Sequence, residues 1–396
     1  LSEGDIEVPA AADCTQCQKI DPLTRSNSLR FAKVDALRGF ALLLVLGRHL
    51  ITIPNDLPLL FKTLLFTWRE IGWIGVDLFF VLSGFLVSGI LFVEQQRTGS
   101  VQIIRFLTRR GLKIYPSFYF FIAVSFFVSW GTDIPAPLSS TRFVGEVLFI
   151  QNYYDCLWNH TWSLAVEEHF YLSLAALTGT LLWINQETKD PFHSLPALAL
   201  LVSLFLLVAR TLIAYNSPEG CGHLTFSYTH LRIDSLFFGV FLSYLYHFKQ
   251  RFLAPIVSRA APFLRAASIL VFLLPVLFPI SYSRFCYSIG FTLLYLGFGA
   301  TLLLSLPFEH AKPSASRWYR APLERLGKNS YSIYLWHMMA YELSTHISRP
   351  LSSGGFYLQV AIYLPGSLVM GLLAAQFVEF PILRFRERYF PPIRSA

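Results

Sequence analysis

The amino-acid sequence predicts an all-α fold: a polytopic membrane protein of about ten transmembrane helices with both termini cytoplasmic. Three observations predict it. The 396 residues are 54% hydrophobic and only 14% charged, too apolar for a soluble chain of this length. The apolar residues fall into runs of the ~20 positions needed to cross a hydrocarbon core. The net charge of +8 is not gathered into a stripe that would bind nucleic acid; basic residues recur in short clusters between the runs, as they do in cytoplasmic loops.

In chain order, residues 1–30 contain no apolar core followed by a small-residue cleavage site, so they read as a flexible cytoplasmic tail and not as a signal peptide. The membrane domain is expected over residues 31–390, with 391–396 as a C-terminal tail. Its expected spans are Val34–Ile53, Ile71–Val93, Leu112–Trp130, Thr161–Ile184, Leu195–Tyr215, Leu231–Phe248, Phe263–Ile280, Phe285–Leu306, Ser330–His346 and Phe356–Phe380. The apolar piece Phe143–Asn152 is too short to cross and carries Glu146, which marks it as interfacial or re-entrant. Counting it as a span would turn the later basic loops outward. With an even number of spans, basic residues such as Arg105, Arg109, Arg110 and Lys113, then Lys249 and Arg251, then Arg317 to Lys328, then Arg384 to Arg394, all fall on the tail's side. Cys156 and Cys221 share the opposite side, where a disulfide between them is an open pairing.

Polar residues inside these runs are the candidates for chemistry, because a charge at the centre of a bilayer helix costs roughly 2.5 to 3.5 kcal/mol on insertion scales. Arg38 and His49 are eleven residues apart, three turns plus about 20°, so both face one way at a separation of roughly 16 Å. The plain alternative is that Arg38 snorkels and His49 caps its helix. Glu167, Glu168 and His169 interrupt the helix that enters from outside, and Glu168 lies ~10 Å deep, close to the depth inferred for His49. A carboxylate at that level can fix the imidazole's tautomer and raise its basicity, as proton abstraction from an alcohol requires. Alternatively the acids pair with Arg210 or Arg232 to lock helices. Arg232 and Asp234 stand at the outer start of a helix, where they contact a polar acceptor or pair, and His337 falls in the inner half near the level of Arg38. Gly72, Gly75, Gly84 and Ser83 allow close helix approach, and Asp77 beside them reads as structural. Cys14 and Cys17 form one C-x-x-C without a second pair, so no metal site is expected, and no P-loop is present. The stretch "RFLTRRGLKIYP" concentrates cations where a phosphorylated cytosolic ligand would dock.

The segments "VDALRGFALLLVLGRHL", "GVDLFFVLSGFL", "RRGLKIYPSFY", "WSLAVEEHFYL", "RIDSLFFG" and "SYSIYLWH", in this order, resemble acyltransferase family 3 of membrane O-acyltransferases, over nearly the whole chain after Phe31. The resemblance implies an integral protein of a bacterial inner membrane that carries an acyl group, acetyl above all, from cytosolic acyl-CoA to a hydroxyl of a carbohydrate or lipid-linked surface molecule. It implies no permanently bound cofactor, with acyl-CoA as co-substrate. On it, His49 is the catalytic histidine, supported by Glu168; Arg38, Arg109, Arg110 and Lys113 serve the donor; and Glu167, Arg232, Asp234 and His337 serve the acceptor or support the site. Two positions depart from the family pattern: Lys113 stands where an Arg is usual, and His169 where a Gln is usual. A lysine still meets phosphate as a point charge, but without a bidentate fork. The competing class is a proton-coupled secondary transporter using His49, Glu168 and Arg232, but the paired repeats and broken helices of that class are not visible in the sequence.

Overall fold

The computed structural model describes residues 22–50, 53–131, 140–154, 156–216, 226–280, 283–308, 320–348 and 353–391. Cys14, Cys17 and Cys221, and with them the Cys156 to Cys221 pairing, lie outside the described residues. Among those described, all regular structure is helical. The helices are α1 (Pro22–Arg48), α2 (Leu59–Ile71), α3 (Gly75–Thr98), α4 (Ile103–Gly131), the short α5 (Ser140–Val147), α6 (Trp162–Ile184), α7 (Leu195–Asn216), α8 (Asp234–Phe248), α9 (Gln250–Leu270), α10 (Leu274–Leu277), α11 (Phe291–Ser305), α12 (Arg320–Lys328), α13 (Ser330–Ser348), α14 (Ser353–Ala374) and α15 (Phe380–Tyr389).

A helix lies over each of the ten apolar runs, and six described stretches are long and apolar enough to cross a membrane by composition alone. Helices α1, α6, α8 and α13 are not among them. α8 has only 15 residues, and the others are diluted by residues such as Arg38, Glu167, Glu168 and His337. The outer face is apolar, with Leu201, Phe205, Phe252 and Phe263 exposed, while Arg210, Arg232 and His337 are buried. That inversion of a soluble protein's arrangement identifies an integral membrane protein.

Three features differ from the sequence reading. α2 carries none of its residues into the core, and its amphipathic length was not expected. α12 lies in what reads as a basic loop, yet its Gly327 sits so close to the Asp35 carbonyl that a Cβ there would collide with it. α4 begins at Ile103, so Arg105 to Lys113 are helical and not a loop; Arg, Leu and Lys are good helix formers, and the single Gly111 among them is tolerated. The expected close approach at Gly84 is real. Gly84 packs on the Leu236 carbonyl and Gly239 on the Val81 carbonyl, so α3 and α8 meet backbone to backbone.

Candidate functional site

α1, α3, α4, α6 and α13 enclose a cavity of about 740 Å³, part of it open to solvent. Arg38, Arg110 and Lys113 line it, together with Glu167, Ser163 and Tyr334 and an apolar wall that includes Val76, Phe80 and Val87. Helix geometry explains which cations reach it. Arg110 and Lys113, three apart, share a face of α4, whereas Arg109 is turned by about 100°. Arg109 instead donates to Glu387 at 2.9 Å and to the Phe390 carbonyl, tying α4 to α15. The Arg110 guanidinium lies over the rings of Phe106 and Tyr171 at 6.0 and 5.7 Å. Glu167 accepts hydroxyl bonds from Ser83 and Tyr171, both at 2.8 Å. Arg38, Arg110 and Lys113 thus form no ion pair among the described residues.

Beyond the far end of this cavity lies a cluster of three imidazoles. Ring centroids are 5.0 Å apart for His49 and His337, and 4.9 Å for His160 and His337. Tyr334 joins the two regions: it lines the cavity, donates to the His160 carbonyl at 2.9 Å, and shares a 2.6 Å hydrogen bond with Ser163. Each histidine is held by its local fold. His49 follows the last residue of α1, where Trp68 and Tyr363 donate to the carbonyls of Leu43 and Leu46 at 2.9 and 3.0 Å, filling acceptors near a helix end. His160 sits in a turn cradled by Glu146 of α5, which accepts from the Leu157 N–H at 3.0 Å and the Thr161 hydroxyl at 2.8 Å. α5 therefore organises the entry to α6.

The expected pairing of Glu168 with His49 does not appear. Tyr115 donates to the Glu168 carboxylate, while Glu167, one residue and about 100° around the helix, faces the cavity. Depth counted along a helix says nothing about azimuth. His337 is likewise not at the level of Arg38 but beside His49, because counting each helix from its own boundary ignores tilt and where each helix starts. Neither acid pairs with Arg210 or Arg232. Arg232 bonds Asp77 at 2.8 Å and Arg210 bonds Asp234 at 2.7 Å, two buried pairs that lock α3, α7 and α8, in line with the structural reading of Asp77. His169 meets the Thr229 hydroxyl at 2.7 Å, a contact away from the cavity. The sequence reading overlooked His160, Ser163 and Tyr334, and took Ser83 for a packing residue. The Trp158 to Trp162 stretch, with His160 between two buried tryptophans, was the available signal that this loop belongs to the interior.

Residues 31–377 match the family model described as an acyltransferase domain. The chain is 28% identical over 383 residues to the peptidoglycan O-acetyltransferase OatA of Listeria monocytogenes, covering 91% of this chain and 57% of that protein. It is 24% identical over 387 residues to the O-acetyltransferase OatA of Staphylococcus aureus, covering 92% of this chain and 59% of that protein. The chain thus spans little more than half the length of these relatives. No solved structure matches it.

Proposed function

The chain belongs to the acyltransferase-domain family, and from that premise we propose that it is a membrane O-acetyltransferase drawing on cytosolic acetyl-CoA and acetylating a carbohydrate hydroxyl on the opposite face of the membrane. Peptidoglycan, named for the Listeria relative, is the acceptor proposed. The observation that carries the reading is a set of three cations in one cavity, Arg38, Arg110 and Lys113, that form no ion pair among the described residues. The three cations are half-buried and crowded in one cavity, so an anionic ligand would relieve their mutual repulsion. The phosphates of a coenzyme A fit that demand, and the apolar wall beyond them suits an extended thioester arm.

In this scheme the thioester reaches past Tyr334 toward the histidine cluster. His49, partly exposed, takes the proton of the acceptor hydroxyl as its oxygen attacks the thioester carbonyl. The C–O bond forms, the C–S bond breaks, and the thiolate recovers the proton from His49. The test is acetyl transfer from labelled acetyl-CoA to solubilised peptidoglycan fragments by the purified chain, with donor binding measured separately. His49→Gln, which keeps polarity but not basicity, should retain donor binding and lose about 100-fold to 10,000-fold in rate. Transfer by this variant at the wild-type rate would remove His49 as the base.

A further inference from the structure

The histidine cluster contains two ring nitrogens whose roles are fixed by their neighbours. A neutral imidazole has one N–H and one lone pair. In His337, Nδ1 faces the Tyr334 carbonyl, which can only accept, so Nδ1 carries the proton and Nε2 presents a bare lone pair. In His160, Nε2 faces the Leu335 carbonyl at 3.0 Å, so Nδ1 is the bare nitrogen. Neither bare nitrogen has a hydrogen-bond partner, and the two residues are 0% and 4% exposed. A buried acceptor left unsatisfied costs about 1 to 3 kcal/mol, so the cluster is built to receive a donor.

The His49 ring lies beside that of His337. An N–H···N bond of ~2.9 Å between two rings, with each nitrogen about 1.1 Å from its ring centre, separates the centroids by ~5 Å. The observed separation of His49 and His337 is 5.0 Å, with the planes inclined at 58°. No hydrogen bond joins them in this orientation, and a turn of the partly exposed His49 ring is what the bond requires. We infer that His337 is the positioning residue for His49: its Nε2 accepts the His49 N–H and so selects the tautomer whose other nitrogen takes the hydroxyl proton. This is the part a carboxylate plays in a hydrolase triad. Glu168 accepts from Tyr115 and forms no hydrogen bond with His49 among the described residues. Because His337 is neutral, it orients the base without adding a counter-charge.

The inference rests on the acetyl-transfer reading, and the test separates the two. His337→Leu removes the acceptor; His337→Gln restores one through its amide oxygen. Rates and acetyl-CoA affinities are measured for both beside His49→Gln, using labelled acetyl-CoA and solubilised peptidoglycan fragments. The expected result is a fall in kcat of at least ~10-fold for His337→Leu with donor affinity unchanged, largely recovered in His337→Gln. A wild-type kcat in His337→Leu, or equal losses in the Leu and Gln variants, overturns the inference. If His337→Leu is not recovered folded, His337→Phe, which keeps an aromatic ring and lacks an acceptor, takes its place with the same two outcomes. An active His49→Gln variant would instead defeat the reaction scheme itself, whereas an inactive one beside a fully active His337→Leu defeats only the role of His337.

Discussion

Two groups of buried charge in this molecule are handled in opposite ways. Between α3, α7 and α8, Arg232 and Arg210 each hold a carboxylate, Asp77 at 2.8 Å and Asp234 at 2.7 Å, and Arg232 is further packed against the Phe291 ring, 3.7 Å from its centroid. Between α1, α4 and α13, Arg38, Arg110 and Lys113 line a cavity with Glu167 and form no ion pair among the described residues. The residue types are alike; the partners are not. A satisfied pair fixes helices, whereas the cations of the cavity are the ground on which the donor site is proposed.

Breaking a pair should give the largest effect. Arg232→Ala strands Asp77 in the interior and should destabilise the fold by about 3 to 5 kcal/mol, seen as a lower Tm and poor recovery of folded protein. Replacing both partners, Arg232→Leu with Asp77→Leu, should recover much of that loss, since removing a buried pair together is often close to neutral. An Arg232→Ala protein with wild-type Tm and lost transfer would break the comparison, because Arg232 would then belong with the cavity.

The converse is expected of the cavity. Arg110→Ala and Arg38→Ala should leave Tm little changed and weaken acetyl-CoA binding by about 10-fold or more each, the range of a lost hydrogen bond to a charged group at ~1.5 to 3 kcal/mol. Arg109→Ala serves as the internal contrast. Its guanidinium is committed to Glu387 and the Phe390 carbonyl, so donor affinity should hold. Calorimetric titration of the three variants decides this, and equal weakening in all three would mean that general positive charge, not the cavity, attracts the donor.

Much of this contrast was legible in the sequence, and the limit is instructive. Period and composition located a helix over every apolar run, but reading residues 105–113 as a loop hid the face that Arg110 and Lys113 share. The spans that carry His49, Glu167 and His337 are those whose composition looks least like a membrane helix, so the polar interruptions pointed to the site. What spacing could not supply was the azimuth of one helix against another. Glu168 and His49 share an inferred depth, yet Tyr115 stands against the acid. His160 was hidden for a different reason: it lies on a single 3-10 turn, Asn159–Thr161, before α6, and bonds distant in sequence, from Glu146 to residues 157 and 161 and from His160 to Leu335 and Tyr334, bring it inside.

Glu146 is a third way of burying charge, and it offers the smallest and most discriminating effect. Among the described residues it has no cationic partner; its Oε1 accepts from the Leu157 N–H, the Thr161 hydroxyl and, at 3.4 Å, the Trp158 N–H. Burial pushes its carboxyl from the ordinary 4.5 up to about 7, so folding favours the protonated form. A raised carboxyl contributes stability that is fully present below its unfolded value and is lost as pH rises through its folded value. The wild-type chain should therefore lose stability as pH rises from about 4.5 to about 7, a window set by Glu146. Glu146→Gln keeps an oxygen acceptor and cannot ionise, so its stability near pH 5 should lie within about 1 kcal/mol of wild type, and its decline across the window should be shallower. Glu146→Ala leaves the three donors unanswered and should lose about 1 to 3 kcal/mol at every pH, loosening the turn that holds His160. Thermal unfolding of the three proteins between pH 4.5 and 7.5 tests this. A Gln variant that follows the wild-type slope would show that Glu146 stays ionised when buried, and the turn before α6 would then need a cation that the described residues do not place there.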